Sequence, residues 1–189
     1  MSEIEQTAAE IRSGESEPPA RRARWMKRAQ VFDAWLRGRS FGTLVAVLYL
    51  LFAVVAFVTG FVRVGLDALL GVWLPQTVDS MRLGMQIFGA MLLAPLMETW
   101  LCQTVFLDYV AGTRFFASRP RTVFALSALC FGLQHFYSLG YIVYGCAAGA
   151  VLAYAFVSAG RRARGFWVTA AVHAAWNCTV LLLHRYGGD

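Results

Sequence analysis

The sequence lacks two signatures of metal-binding proteins. None of its four cysteines stands in a Cys-x-x-Cys pair, and no His-Glu-x-x-His motif is present. The first absence argues against a zinc–cysteine cluster, and the second removes the usual motif of zinc proteases. All four cysteines lie in hydrophobic stretches, so we interpret them as small buried apolar residues and not as disulfide partners. They are Cys102, Cys130, Cys146 and Cys178.

Charge is also scarce, and one long segment has none. Residues 42–62 contain no charged side chain, and at about 1.5 Å per residue this segment covers a hydrocarbon core about 30 Å thick. Hydrophobic residues make up 58% of the chain, above the roughly 45–50% of soluble domains. The composition predicts an all-α polytopic transmembrane helix bundle. The net charge of +6 is then explained by membrane topology, and we expect no nucleic-acid partner.

Five hydrophobic segments are predicted to span the membrane, with the motif-bearing helices described below forming the core. They are residues 42–63, 83–107, 121–138, 141–159 and 166–184. We expect a loop with a short interfacial piece at 64–81 and a tight hairpin near Leu139-Gly140. Gly145-x-x-x-Gly149 predicts close helix packing by the fourth span, because small residues let two backbones approach.

The basic residues fall mostly on one side of this topology. With the N-terminus inside, the outside segments keep only Arg63, Arg82 and Arg185 of the 17 Lys and Arg residues. The positive-inside rule therefore predicts a cytoplasmic N-terminus and an external C-terminus. The Ala- and Arg-rich composition suggests a bacterial inner membrane.

The first 40 residues differ from the rest of the chain. Residues 1–20 are polar and acidic and lack the apolar run of a signal peptide, so we expect a disordered tail. Residues 21–40 interleave arginines with apolar side chains. A basic amphipathic helix at the membrane interface and a solvated basic linker both fit this pattern. Residues 41–189 then form the transmembrane domain.

Three polar motifs interrupt the apolar spans. They are Glu98-Thr99-x-x-x-Gln103, Phe131-x-x-x-His135 and His173-x-x-x-Asn177. A charged side chain at the centre of a membrane helix costs about 2.5–3.5 kcal/mol even on the lenient insertion scale, so such groups are candidate functional residues. Packing explains each side chain taken alone, but it explains the whole set less well. His184, at the far membrane edge, is interpreted as an interfacial residue.

Glu98 is the candidate general base for activating water. Pro95 precedes it by three residues and cannot donate to the carbonyl of Met91, so the helix is expected to loosen just before the carboxylate. Thr99 and Gln103 share a helix face that lies about 100° from Glu98. We expect these two side chains to bond each other or a neighbouring backbone, and to support the site without reacting.

His173 and Asn177 also share a helix face, one turn apart. An imidazole can polarise an oxygen while an amide donates to a developing oxyanion, so this pair could bind one oxygen from two directions. His135 lies one turn after Phe131 at the end of the third span. Proton-relay transport remains an alternative use of a buried carboxylate and two histidines, although the chain shows no internal repeat of the kind found in many carriers.

In this order the three motifs resemble the CPBP family of intramembrane proteases. The family is named for CAAX prenyl proteases and bacteriocin-processing enzymes and is also called the Abi family. The run from Ala94 to Glu98 is similar to the family's approach to its first motif, and the resemblance covers roughly residues 83–180. It implies cleavage of a membrane-associated protein or peptide within the bilayer. Glu98 would be the general base, His135 and His173 the motif histidines, and Asn177 the oxyanion donor.

The first motif departs from the family pattern, which usually reads Glu-Glu-x-x-x-Arg. Thr99 and Gln103 replace an ionic pair by a neutral polar pair, which avoids leaving one buried charge unpaired. This departure motivates an alternative function as a pseudoprotease, membrane scaffold or accessory protein. Nothing in the sequence indicates a site that reads a prenyl group.

The residues alone do not decide whether the protein uses a metal cofactor. Glu98, His135 and His173 could form a two-histidine, one-carboxylate zinc site with water in the fourth position. The same residues could activate water without a metal, and the resemblance favours that metal-free mechanism. We therefore expect no required cofactor.

Overall fold

The computed structural model describes residues 30–74 and 82–187. Residues 30–37, which belong to a separate N-terminal unit, are helical, and the rings of Phe32 and Trp35 stack with centroids 6.0 Å apart. The predicted disordered tail and residues 21–29 of the predicted basic segment lie outside the described residues. Placement of that segment at a membrane interface stays a prediction.

The unit from Arg39 onward is a helix bundle. Its helices are α1 (Phe41–Leu70), α2 (Leu83–Gly112), α3 (Pro120–Leu133), α4 (Leu139–Ser158) and α5 (Arg162–Tyr186). No β-strand occurs among the described residues, so the all-α prediction is confirmed. In the described part of the chain, four helices are long and apolar enough to cross a membrane. The exception is α3, whose 14 residues reach only about 21 Å of the roughly 30 Å core.

The first span is longer than predicted. A loop was expected from residue 64, but α1 continues for two more turns because its charged side chains have partners. Arg63 Nε lies 3.3 Å from Asp67 Oδ2, and the guanidinium of Arg63 lies 4.1 Å from the ring centroid of Tyr141. Gly71, with φ of 80°, ends the helix in a backbone conformation that glycine adopts without strain.

The third span is shorter than predicted because side chains bind its last carbonyl groups. Gln134 Nε2 donates to the carbonyl oxygen of Cys130 at 3.3 Å, and His135 Nδ1 lies 2.8 Å from the carbonyl oxygen of Phe131. These bonds replace the backbone donors that a longer helix would supply. His135 therefore lies in the turn after α3, and not on the helix as expected.

Wide helical geometry occupies much of α2. Phe88–Leu93 and Thr99–Tyr109 are π-helical, and Ala94–Glu98 between them is α-helical. The backbone N–H of Ala94 donates to the carbonyl oxygen of Gly89, five residues back. In that register Pro95 faces the carbonyl of Ala90. The expectation that Pro95 frees the carbonyl of Met91 is therefore corrected, because it assumed an uninterrupted α-helix.

The three motif-bearing helices, α2, α3 and α5, pack around α4. Half of the membrane-spanning window of α4 is buried, against 17% for α1. Glycines allow this, as predicted from Gly145 and Gly149. A Cβ atom built on Gly149 would lie 2.7 Å from the Cβ atom of Phe131, and one on Gly145 would lie 3.0 Å from the Cα atom of Gly132.

Successive helices run in alternating directions, so the bundle has two distinct ends. At one end Arg164 donates to the carbonyl oxygen of Arg39 at 2.6 Å. At the other end the backbone N–H groups of Trp73 and Leu74 donate to the carbonyl oxygen of Tyr137. We call the first of these the arginine-rich end, because the loops and helix starts there carry most of the arginines of the bundle. They are Arg39, Arg114, Arg119, Arg121, Arg161, Arg162 and Arg164.

Candidate active site

Glu98 and His173 face each other inside the bundle. Glu98 lies near the middle of α2, where the α-helical turn meets the second π-helical stretch, and His173 lies near the middle of α5. The distance from Glu98 Oε2 to His173 Nε2 is 3.8 Å. This separation is too long for a direct hydrogen bond but suits two groups that bind one water molecule. His173 is only 4% exposed, so bulk solvent screens the pair weakly.

The ring of Phe131 contacts both motif histidines. Its centroid is 4.9 Å from that of His135 and 5.3 Å from that of His173. Because Phe131 is itself buried, it fixes the spacing of the two imidazoles. Its supporting role is therefore steric.

The hydrogen bond made by His135 indicates its tautomer. Nδ1 lies 2.8 Å from the carbonyl oxygen of Phe131, and a carbonyl only accepts, so Nδ1 carries the hydrogen. In the neutral ring Nε2 then presents a lone pair. Tyr141 stacks on the imidazole at 5.5 Å with 8° between the planes, which holds this orientation.

Asn177 binds the backbone beside Pro95. Its Nδ2 donates to the carbonyl oxygen of Ala90 at 2.7 Å. Pro95 cannot supply the backbone donor that this carbonyl would meet in the π-helical register. The side chain from α5 thus satisfies a carbonyl on α2. An amide nitrogen carries two hydrogens, so Asn177 keeps a second N–H.

Thr99 and Gln103 are fully buried, but they do not bond each other. Thr99 Oγ1 and both polar atoms of Gln103 find no hydrogen-bond partner within the described ranges, 30–74 and 82–187. The expectation of a mutual bond or a backbone clamp is therefore wrong. Thr99–Tyr109 is π-helical, and its ladder runs from residue i to i+5, so the alignment between i and i+4 is lost. Thr169 on α5, also buried and unpartnered there, adds to this polar interior.

A zinc site built from Glu98, His135 and His173 does not fit the geometry. In the part of the chain that the structure describes, no three His, Cys, Asp or Glu side chains come close enough to hold a metal ion. Among residues 30–74 and 82–187, no third side chain of these types joins Glu98 and His173. We therefore derive no step through a metal.

Several contacts around the site were not predicted from the sequence. Ser127 Oγ donates to the carbonyl oxygen of Cys102 at 2.7 Å, and Gln134 Nε2 donates to Cys102 Sγ at 2.7 Å. The thiols of Cys102 and Cys130 lie 3.3 Å apart, and both cysteines are free as expected. These bonds join α2 to α3 beside Glu98. Ser127 stands four residues before Phe131, a helical spacing that could have indicated its position.

Comparison with known proteins supports the resemblance seen in the motifs. A family model described as Type II CAAX prenyl endopeptidase Rce1-like matches residues 80–179, which is more than half of the chain. The matched range contains all three polar motifs. No curated protein and no solved structure matches the chain. The family is one of proteases within the CPBP group, and its match together with four membrane-length apolar helices indicates an integral membrane protein. The chain therefore belongs to the Rce1-like family of CAAX prenyl endopeptidases.

Proposed function

We propose that this protein is an intramembrane endopeptidase that hydrolyses a peptide bond of a membrane-associated protein or peptide. The observation that supports this most is the 3.8 Å approach of Glu98 Oε2 to His173 Nε2 in the interior of the bundle. A carboxylate and an imidazole at this distance can both bind one water molecule. The family match supplies the reaction class, and the residue roles are our own assignment.

Glu98 acts as the general base in this proposal. Its carboxylate takes a proton from water while the water oxygen bonds to the carbon of the scissile carbonyl. The resulting tetrahedral intermediate carries an oxyanion. When the carbon–nitrogen bond breaks, Glu98 returns the proton to the leaving amine, so the carboxylate is restored.

The oxyanion is stabilised by His173 and Asn177, which project from the same face of α5. The bond from Asn177 to Ala90 holds the amide in place, and its second N–H serves as the donor. A fixed donor needs no reorganisation when charge develops, which is the basis of oxyanion stabilisation. His135 orients the water through its Nε2 lone pair, and it donates to the oxyanion only after it gains a proton.

The test compares cells that produce the wild-type chain with cells that produce Glu98→Gln. Proteomic identification of new protein N-termini in their membranes reports cleavage directly. We expect a set of termini that depends on the wild-type carboxylate, and cleavage of the matching synthetic peptides by purified wild-type protein in nanodiscs. His184→Gln, an exposed substitution at the end of α5, serves as the matched control and should cleave normally. Full activity of purified Glu98→Gln would rule out this mechanism.

A non-enzymatic scaffold or accessory function is the second candidate. It is favoured by the first motif, in which the buried Thr99 and Gln103 make no bond to each other. In that case Glu98→Gln would retain every partner that the wild-type protein captures, and the two membrane proteomes would show the same N-termini.

We also propose that the arginine-rich end of the bundle faces the cytoplasm of a bacterial cell, with the C-terminus outside. The arginines gathered there follow the positive-inside rule. Alkaline phosphatase, which is active only outside the inner membrane, should be active when fused after residue 187 and inactive when fused in the loop at Gly160. The reverse pattern would invert the topology.

A further inference from the structure

Two clefts flank the last turns of α2 at the arginine-rich end, and Arg161 lines both. The larger, with a volume of about 760 Å³, lies between α2 and the start of α5, and Trp100, Arg162 and Phe166 also line it. The smaller, of about 320 Å³, lies between α2, α3 and α4 and has mainly apolar walls that include Phe124. Both clefts therefore combine an arginine with apolar or aromatic walls.

The charge of the clefts is positive. Arg161 and Arg162 line the larger cleft, and Arg121 lines the smaller one. Asp108 is the acidic residue among them. Its Oδ2 accepts the backbone N–H of Arg162 at 3.1 Å, and its Oδ1 lies 3.8 Å from Arg161 Nε. Asp108 thus already caps the start of α5, so the helix end itself is not the site, and the exposed guanidinium groups exceed this single carboxylate.

The loop that presents these arginines adopts an unusual backbone. Gly160, Arg161 and Arg162 have φ values of 100°, 61° and 50°. Side-chain-bearing residues enter this region at a cost of about 1–3 kcal/mol each and stay there only when surrounding bonds hold them. The bond from Arg162 to Asp108 and the bond from the Arg161 N–H to the carbonyl oxygen of Phe156 at 2.9 Å do so. Adjacent arginines are thereby fixed at the rim of the larger cleft.

We infer that these clefts bind an anionic phospholipid, with its phosphate at Arg161 and Arg162 and its acyl chains along the apolar walls. The guanidinium fork matches the geometry of phosphate oxygens. Basic pockets between transmembrane helices bind anionic lipid headgroups in this way. Free phosphate would leave the walls formed by Trp100, Phe166 and Phe124 without a partner, so the apolar surface selects the lipid. Glu98 does not line either cleft, and the inference does not depend on the proposed protease mechanism.

The test measures lipid binding by the purified full-length protein in detergent. Native mass spectrometry and thermal unfolding are recorded with added phosphatidylglycerol, with phosphatidylcholine and with inorganic phosphate. We expect phosphatidylglycerol to bind and raise the unfolding temperature, and the other two to have little effect. Arg161→Gln and Arg162→Gln should each weaken phosphatidylglycerol binding about fivefold, the usual contribution of one basic side chain at an anionic membrane surface. Arg82→Gln, an exposed arginine at the opposite end, is the matched control and should bind normally.

Three outcomes would overturn the inference. Equal binding of phosphatidylglycerol by the wild type and both cleft variants would place the lipid elsewhere. Equal stabilisation by inorganic phosphate would make the site one for a soluble anion. If Arg82→Gln weakened phosphatidylglycerol binding as much as the cleft variants do, the lipid would be attracted by the overall positive charge of the protein and not by the clefts. Because Arg162 binds Asp108 only through its backbone, Arg162→Gln tests the side chain without removing that bond.

Discussion

Asn177 on α5 donates to the carbonyl oxygen of Ala90 on α2 at 2.7 Å, beside a proline that has no backbone donor to offer. The bond joins the third polar motif to the main chain of α2, the helix that carries the first motif. Asn177 therefore has a structural role in addition to its proposed role at the oxyanion. Substitutions can distinguish the two roles.

A double-mutant cycle on Asn177 and Pro95 should show strong coupling. Asn177→Leu leaves the part-buried carbonyl of Ala90 unpaired, which should lower the free energy of unfolding by about 1–3 kcal/mol. In a Pro95→Ala background the new backbone N–H can bind that carbonyl, so the same Asn177→Leu substitution should have a much smaller effect. Unfolding in mixed micelles, followed by circular dichroism, measures all four proteins. Equal losses in both backgrounds would mean that Pro95 does not create the need for Asn177.

Replacing Thr99 and Gln103 by apolar residues of similar shape should not destabilise the protein. Their buried polar atoms make no bonds within residues 30–74 and 82–187, so Thr99→Val and Gln103→Leu remove groups that are costly to bury and break no such bond. The free energy of unfolding should stay constant or rise by about 1 kcal/mol for each substitution. Ser127→Ala is the matched control. It removes a bond of 2.7 Å to the carbonyl oxygen of Cys102 and should destabilise the protein by about 1 kcal/mol or more.

The cleavage rates of these variants show whether Thr99 and Gln103 only support the site or take part in the reaction. If Thr99 and Gln103 only fill space, the apolar variants should cleave at the wild-type rate. A large drop in rate without a drop in stability would instead place their polar groups in contact with water or substrate during the reaction.

The sequence predicted the helices well because hydrophobic length and motif order are local properties. It predicted that Glu98 lies at mid-span and that His173 lies in the same interior. The widened geometry of α2 was not predictable from spacing, because counting three or four residues per turn assumes an α-helix. Under that assumption Pro95 was expected to free the carbonyl of Met91, and Thr99 was expected to bond Gln103 or a neighbouring backbone. Both expectations were wrong. The early end of α3 was also missed, because it depends on the side chains of Gln134 and His135 binding carbonyls within their own turn.

Two substitutions of His135 should distinguish the roles of its two ring nitrogens. Asparagine can place an N–H where Nδ1 lies and keep the bond to the carbonyl oxygen of Phe131, but it has no group at the Nε2 position. Glutamine can place an oxygen near Nε2. We expect His135→Asn to remain as stable as the wild type and to lose cleavage by about 10²-fold, the effect of misplacing a reacting group by about 1 Å.

The glutamine variant completes this comparison. His135→Gln should be less stable than His135→Asn but should cleave faster, since its side-chain oxygen can still accept a hydrogen bond from water. Melting temperatures of the purified proteins rank the variants by stability. Their rates of cleavage of an identified peptide rank them by activity. If asparagine cleaves as fast as glutamine, Nε2 has no role in orienting water.

Adding one methyl group at Gly149 should disturb the site from a distance. A Cβ atom there would lie 2.7 Å from the Cβ atom of Phe131 and 2.9 Å from the carbonyl oxygen of Ala128, so α3 must move away from α4. Overpacking of this kind costs about 1–3 kcal/mol. Because Phe131 sets the spacing of His135 and His173, Gly149→Ala should also lower the cleavage rate, by up to about 10²-fold if the reacting groups shift by about 1 Å.

Gly60→Ala provides the matched control on α1. Apart from the adjoining backbone of α1 and the two neighbouring residues, no atom lies within 4 Å of a Cβ built at Gly60. Alanine there should therefore raise the free energy of unfolding by about 0.5–1 kcal/mol through its better helix propensity. Its cleavage rate should not change. Unfolding and cleavage are measured together for both variants, at a temperature where Gly149→Ala remains folded. Normal cleavage by folded Gly149→Ala would show that the position of Phe131 does not control the two histidines.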